Sequence, residues 1–202
     1  MKFIYFDVGG VLNKDFSNTL KWDLLTNEWN ISKLVKEKVG EMFNRFEKEA
    51  CVGRNVDDFL LVMNKKFGTK FPKNYSLNEN FVNLFYKNEG INKIIDQIKN
   101  KYELGLLTNM YPEMLKMILD RNLILNVDWK VIIDSSIEKF RKPERKIYEI
   151  AQKKSGFKGN EILFIDNKKE NLEVPDKMGW QTFWFDSSDY ERSNQELAEI
   201  LR

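Results

Sequence analysis

Several short stretches of this chain set a reactive or charged side chain at the end of an apolar run. Phe3-Ile4-Tyr5-Phe6 stops at a carboxylate, Asp7, with Gly9 and Gly10 close behind. The run ELGLL ends at Thr108-Asn109, and EILFI ends at Asp166-Asn167. Lys142 precedes Pro143 in the stretch SSIEKFRKPE. Two carboxylates brought close together repel, and burial makes the conflict worse. A divalent cation relieves it. Where only oxygen donors are on offer, that cation is magnesium rather than zinc. A magnesium ion beside a lysine favours a phosphate. Thr108 and Asn109 can donate hydrogen bonds to phosphate oxygens, and so can backbone N–H groups of the VGGVL turn. Asp7 is then the natural nucleophile, a partly neutralised carboxylate facing phosphorus.

This chemistry needs the strand ends to meet. In an open parallel sheet the carboxyl ends of the strands line one edge, and ligands bind there. The pattern predicts strands over 2–7, 103–108, 131–134, 161–166 and 181–185. Helices are expected over 91–101, 112–122, 143–155 and near 169–178, with a last one closing the chain. Alternating short apolar strands and helices argue a Rossmann-like parallel sheet covered on both faces, an α/β fold. Pro143 suits the first position of its helix, which would bring Lys142 to the same edge. Pro175 is expected to shorten or kink the helix after the last acidic stretch.

Between these parts the pattern turns helical. Leu34, Val35, Val39, Met42, Phe43 and Phe46 share one helix face. Asn55 is expected to cap a helix carrying Phe59, Leu60, Val62, Met63 and Phe67, stopped by Gly68 and Pro72. Another helix is expected over 77–87. The chain thus reads as a catalytic core of residues 1–13 and 89–202, interrupted by an all-helical segment of residues 14–88. Phe43, Phe46, Phe59 and Phe85 are expected to be core; of Trp22, Trp29 and Trp129, one is a candidate to line a substrate pocket.

The totals bound the chemistry further. The 202 residues contain no histidine and one cysteine, Cys51. This removes Ser-His-Asp and Cys-His catalysis, histidine zinc sites and an internal disulfide. Cys51 reads as a small apolar filler in a chain suited to a reducing cytoplasm. Apolar residues make up 42% and charged residues 32%, a globular balance, and a net charge of +2 gives no reason to expect nucleic acid as partner. No apolar run is long enough for a membrane span, and the start passes into a strand without a signal peptide's pattern. The expected partner is a small phosphorylated metabolite; the oligomeric state is left open.

The residues quoted above resemble the haloacid dehalogenase superfamily of phosphohydrolases. FDVGGVL, LLTN, FRKPERKIYEIA and ILFIDNKKENL match its four motifs in order, and the helical segment falls where a helical cap is inserted. The resemblance implies that Asp7 becomes a phosphoaspartate and also binds magnesium. It implies a backbone carbonyl of Gly9 and the carboxylate of Asp166 as further metal ligands. Thr108 would bond the transferring phosphoryl group, and Lys142 would balance charge on Asp7 and phosphate. Asn167 stands where many relatives carry a second acid.

One position departs from the pattern. Phosphatases of the superfamily usually carry an aspartate two residues after the nucleophile, as general acid and base. Here that residue is Gly9. Such help is worth about 10²–10⁴-fold. Three explanations stand open: a substitute acid, with Asp15 the first candidate and Glu49 a second; a substrate with a good leaving group; or a catalytically weak phosphate-binding or protein-interaction module. A bacterial subgroup sharing the glycine includes sugar-phosphate phosphatases acting on glucose 1-phosphate. Carbon–halogen and carbon–phosphorus hydrolases of the superfamily also lack the second aspartate. The dehalogenases need no metal, and retention of Asp166 argues against them.

Overall fold

The computed structural model describes residues 1–16, 21–29 and 31–202. Among these the chain begins β1 (Phe3–Phe6), β2 (Asn13–Lys14), α1 (Lys21–Asn27), α2 (Lys33–Ala50), α3 (Asp58–Phe67), α4 (Leu77–Asn83) and β3 (Tyr86–Lys87). It continues α5 (Glu89–Ile98), β4 (Glu103–Thr108), α6 (Met114–Asp120), β5 (Trp129–Asp134), α7 (Ser135–Glu138), α8 (Arg145–Ser155), β6 (Ile162–Asp166), α9 (Glu173–Lys177), β7 (Gln181–Trp184) and α10 (Tyr190–Leu201). Five strands form one parallel sheet in the order β5-β4-β1-β6-β7. The first strand is therefore central, with β4 on one side and β6 on the other. This is the Rossmann-like α/β arrangement the strand pattern implies.

The alternation of side chains along each strand gives the sheet two apolar faces. Ile4, Phe6, Leu104, Leu106 and Ile165 point to one face and pack with α5, α6, α10 and the helices before residue 84. Phe3, Tyr5, Leu107, Ile133 and Phe164 point to the other, where α8 lays down Ile147, Tyr148 and Ala151. Gly105 interrupts β4 for a steric reason. A Cβ there would come within 2.8 Å of ring atoms of both Phe3 and Tyr5.

Of the expected helical segment, residues 17–20 and 30 lie outside the described ones. In the rest, α2 buries Val39, Phe43, Phe46 and Ala50 at helical spacing. Gly68 ends α3 in the left-handed conformation, its N–H donating to Asn64 O at 3.0 Å. The segment is not wholly helical. β2 and β3 pair antiparallel, Asn13 with Lys87 and Lys14 with Tyr86, and join its two ends. That pairing also stops α4 short of the expected 77–87.

Two other boundaries differ from expectation. Asn55 does not cap α3; its side chain accepts the N–H of Asp57 at 3.0 Å, within a turn before the helix. The carboxylate of Asp57 is turned instead to the N–H of Leu77 at 2.6 Å, tying α3 to the start of α4. Pro143 precedes α8 rather than opening it. The Lys142-Pro143 bond is cis and the helix starts at Arg145. Pro175 sits third in the five-residue α9, where its missing N–H leaves no helical bond unmade, while its carbonyl accepts from Met178 and Trp180 at 2.9 and 3.0 Å. Among the described residues, no helix is long and apolar enough to cross a membrane.

Candidate active site

Because β1 and β6 are paired, Asp7 and Asp166 leave the same edge of the sheet next to one another. Lys142 bridges them. Its ammonium lies 2.9 Å from Asp7 Oδ1, 2.6 Å from Asp166 Oδ2 and 3.0 Å from the carbonyl of Leu107, the residue before Thr108. Lys142 and Asp166 are 1% and 0% exposed, and Asp7 is 7% exposed. An ammonium this far from water keeps its charge only if paired. Burial pushes Lys142 down, but the carboxylates of Asp166 and Asp7 more than reverse this and hold it above its ordinary value. Burial also acts first on Asp166. Lys142 pulls its carboxyl back, Asp7 opposes that pull, and the group settles at about 6.

Asp166 is held from below as well. Its Oδ1 accepts the N–H of Lys168 at 2.7 Å, and the amide nitrogen of Asn171 lies 3.0 Å from each carboxylate oxygen. The hydroxyl of Tyr148 on α8 donates to the Asn171 carbonyl at 2.7 Å and fixes that residue in turn. Asn171 is absent from the sequence-based set of site residues. The signal for it was its place five residues past Asp166, on the short turn DNKKEN.

Asp7 is set by its own turn. The N–H of Val8 donates to Asp7 Oδ1 at 2.8 Å. The N–H of Gly10 donates to Asn13 O at 2.9 Å, and those of Leu12 and Asn13 to Val8 O at 2.9 and 3.1 Å. Gly10 takes a φ of 77°, which glycine adopts without strain. Of the N–H groups expected to face a phosphate, those of Val8, Gly10 and Leu12 are engaged within the turn.

Thr108 ends β4 beside Asp7's strand. It is buried, and among the described residues its hydroxyl has no hydrogen-bond partner. Such a group costs about 1–3 kcal/mol, and an oxygen ligand at the sheet edge would satisfy it. Asn109 does a different task. Its Oδ1 accepts the Lys142 N–H at 2.8 Å and its Nδ2 donates to the Lys142 carbonyl at 3.0 Å. The side chain thus clamps the Lys142 backbone to the end of β4. Next to it, Met110 donates its N–H to Ser135 Oγ at 3.0 Å, anchoring the same loop to α7.

Gly9 and Asp15 meet in an instructive way. A Cβ placed on Gly9 would lie 2.5 Å from Asp15 Oδ2. The carboxylate of Asp15 therefore fills the space that a side chain at position 9 would take. A cavity of about 340 Å³ opens here, lined by Asp7, Gly9, Asp15, Asn109, Lys142 and Asn167. Asn167 also donates to Ser187 Oγ at 3.4 Å. Glu49 is not part of the site; it pairs with Arg54 at 2.6 Å on the outer surface, and Glu47 lines the cavity in its place. Cys51 borders the cavity too, but burial pushes its thiol up to about 12, so it stays un-ionised, as an apolar filler would. A larger depression of about 700 Å³ lies at the opposite edge of the sheet, beside Lys2, Lys101 and Glu103, and holds none of the converging groups.

The model of the haloacid dehalogenase-like hydrolases matches residues 1–173. The chain belongs to that family. No curated protein matches it. Solved structures do. A predicted HAD-like hydrolase from Porphyromonas gingivalis is 19% identical over 98% of this chain and 97% of its own, with a TM-score of 0.75. A HAD-family enzyme from Bacteroides thetaiotaomicron, in complex with magnesium and inorganic phosphate, is 16% identical over 94% of this chain and 96% of its own, with a TM-score of 0.72. The L-2-haloacid dehalogenase of Xanthobacter autotrophicus, with chloropropionic acid covalently bound, is 12% identical over 90% and 76%, with a TM-score of 0.64. At these identities the likeness is one of fold.

For a HAD-like hydrolase the donor set here suits magnesium. Asp7, Asp166 and the Gly9 carbonyl offer oxygen alone. Two carboxylates against one ammonium leave negative charge over at the sheet edge. Among the described residues no group of three or more His, Cys, Asp or Glu is placed to hold a metal ion. Magnesium is commonly held by one or two carboxylates, with water and substrate phosphate completing its shell.

Proposed function

We propose that the protein hydrolyses a small phosphomonoester in the presence of magnesium, through an aspartyl-phosphate on Asp7. The observation that carries this reading is the buried Lys142 ammonium shared by Asp7 and Asp166, beside the unpartnered hydroxyl of Thr108. The relative solved with magnesium and phosphate supports it. Asp7 attacks phosphorus while the bond to the ester oxygen breaks. Lys142 pairs with Asp7 and balances the charge on the phosphoryl group. Thr108 donates its hydroxyl to a phosphoryl oxygen. Magnesium, held by Asp7, Asp166 and the Gly9 carbonyl, would neutralise phosphate charge. Asn109 acts by fixing Lys142, and its backbone borders the phosphate.

Asp15 takes the part of the missing acid. It gives a proton to the departing alkoxide and takes one from the water that later opens the aspartyl-phosphate, releasing inorganic phosphate. The support is positional: its carboxylate fills the space beside Gly9. The helices between residues 14 and 88 serve as a cap over a core of residues 1–13 and 89–202, and exclude water from the reaction.

The test is release of p-nitrophenol from p-nitrophenyl phosphate with magnesium and with a chelator. Turnover that needs magnesium supports the reading. Chelator-insensitive release of chloride from 2-chloropropionate, without phosphatase activity, would replace it with carbon–halogen cleavage. Binding of phosphate without any turnover would leave only a binding module. For Asp15, the Asn variant should slow alkyl phosphates by about 10²-fold or more and p-nitrophenyl phosphate much less, because a good leaving group needs little proton help. Wild-type rates on both esters would remove Asp15 from the mechanism.

A further inference from the structure

The cavity over Asp7 adjoins a second one of about 360 Å³, and the two share Gly9, Asp15, Phe16, Glu47 and Asn109. The second cavity is walled by aromatic side chains: Trp22, Phe43, Phe81, Phe85 and Tyr111, with Phe16 at the shared mouth. These rings already form an array. Phe43 meets Phe81 edge-on at 5.6 Å and Tyr111 edge-on at 6.3 Å, and Trp22 lies parallel to Phe81 at 6.4 Å. A space of roughly 150 Å³ is enough to hold a benzene ring.

Several polar groups at the boundary of this space are committed, while Asp15 and Asn44 also line it. Both polar atoms of the Asn109 side chain are on the Lys142 backbone. Glu47 accepts the Tyr111 hydroxyl at 3.0 Å. A sugar carries a hydroxyl on nearly every carbon, and each one taken out of water needs a partner. This wall supplies few.

Gly40 points the same way. It lies inside the long helix α2, where glycine weakens a helix relative to alanine. Among the described residues, a Cβ on it would find only Trp22 Nε1 within 4 Å, at 3.7 Å. Sterics do not demand glycine at this point. What its bare backbone provides is room beside Trp22, in the wall of the aromatic cavity.

We infer that the organic group of the substrate is an aromatic ring, an aryl or arylalkyl phosphate with its ring in the aromatic cavity and its phosphate at Asp7. The phosphate half of this inference rests on the proposed phosphohydrolase function; the ring half rests on the cavity. It replaces a sugar phosphate as the expected substrate.

Binding and turnover separate the two halves. Benzylphosphonate and methylphosphonate cannot be hydrolysed at their carbon–phosphorus bonds by this chemistry. Titration calorimetry with magnesium should show benzylphosphonate at least tenfold tighter. Benzyl phosphate and glucose 6-phosphate both release primary alkoxides, so leaving-group chemistry does not distinguish them. Benzyl phosphate should show at least tenfold higher kcat/KM. Gly40→Leu, which fills the cavity from a position where the helix gains propensity, should remove most of both preferences. Equal affinity for the two phosphonates, or glucose 6-phosphate as the better substrate, overturns the inference and leaves the phosphohydrolase reading standing. A tenfold binding preference with no turnover of any ester upholds the aromatic cavity and overturns that reading. Failure to bind either phosphonate, with no turnover of either ester, overturns both. If the Gly40 variant misfolds, the wild-type comparison still decides.

Discussion

At the scale of single residues, Thr108 and Lys142 make opposite predictions. The Thr108 hydroxyl is buried without a partner, so replacing it by a methyl of the same shape costs the fold little. Thr108→Val should leave stability within about 1 kcal/mol of wild type, or raise it, while lowering phosphatase kcat at least tenfold. Urea unfolding and steady-state kinetics check this; a large loss of stability would mean the hydroxyl is a structural group. Lys142 is the reverse. Lys142→Met leaves Asp7 and Asp166 facing each other without their cation, which should cost about 3–5 kcal/mol. Urea unfolding measures it, and a loss below about 1 kcal/mol would contradict the electrostatic account. Asp7, Thr108 and Asp166 were legible because each is a polar residue that ends an apolar run, and Lys142 because a proline follows it. Asn171 was not, because its task is to hold another side chain, and residue type alone does not announce that.

At the scale of elements, the loops at the sheet edge are cross-tied. Asn109 holds the backbone of Lys142, Ser135 holds Met110, and Tyr148 on α8 holds Asn171 under Asp166. Asn109→Ala should therefore lower kcat by more than it changes KM, because the Lys142 ammonium loses its fixed position. It should also cost about 1–3 kcal/mol of stability. A rise in KM with kcat unchanged would assign Asn109 to substrate binding instead. The strands and most helices were readable because short apolar runs and helical spacing are local signals. The boundaries that differ depend on distant partners. Asp57 turns to Leu77, leaving Asn55 to form only a turn. Tyr86 and Lys87 pair with Lys14 and Asn13, shortening the helix before them.

At the scale of the whole molecule, the central strand carries Asp7 between its two neighbours, and both apolar faces of the sheet hold that strand in place. The sequence pattern implied a parallel sheet with Asp7, Thr108 and Asp166 at one edge, and the placing of β1 between β4 and β6 brings those strand ends together. The aromatic cavity did not follow. Phe43 and Phe85 look like core residues in sequence, and they are buried, yet they also wall an open space. Ligand binding should stabilise the molecule as a unit. Magnesium and inorganic phosphate together, at about 100 times their dissociation constant, should add roughly 2.7 kcal/mol, raising Tm. Absence of any shift with both ligands present would contradict a shared site. The most direct test of the central claim is to trap the covalent intermediate. Wild-type protein turning over an aryl phosphate with magnesium is quenched in acid, reduced with borohydride and digested for mass spectrometry. The account predicts reduction of the aspartate side chain at Asp7 alone, and none in Asp7→Asn. Steady phosphate release with Asp7 never modified would contradict it.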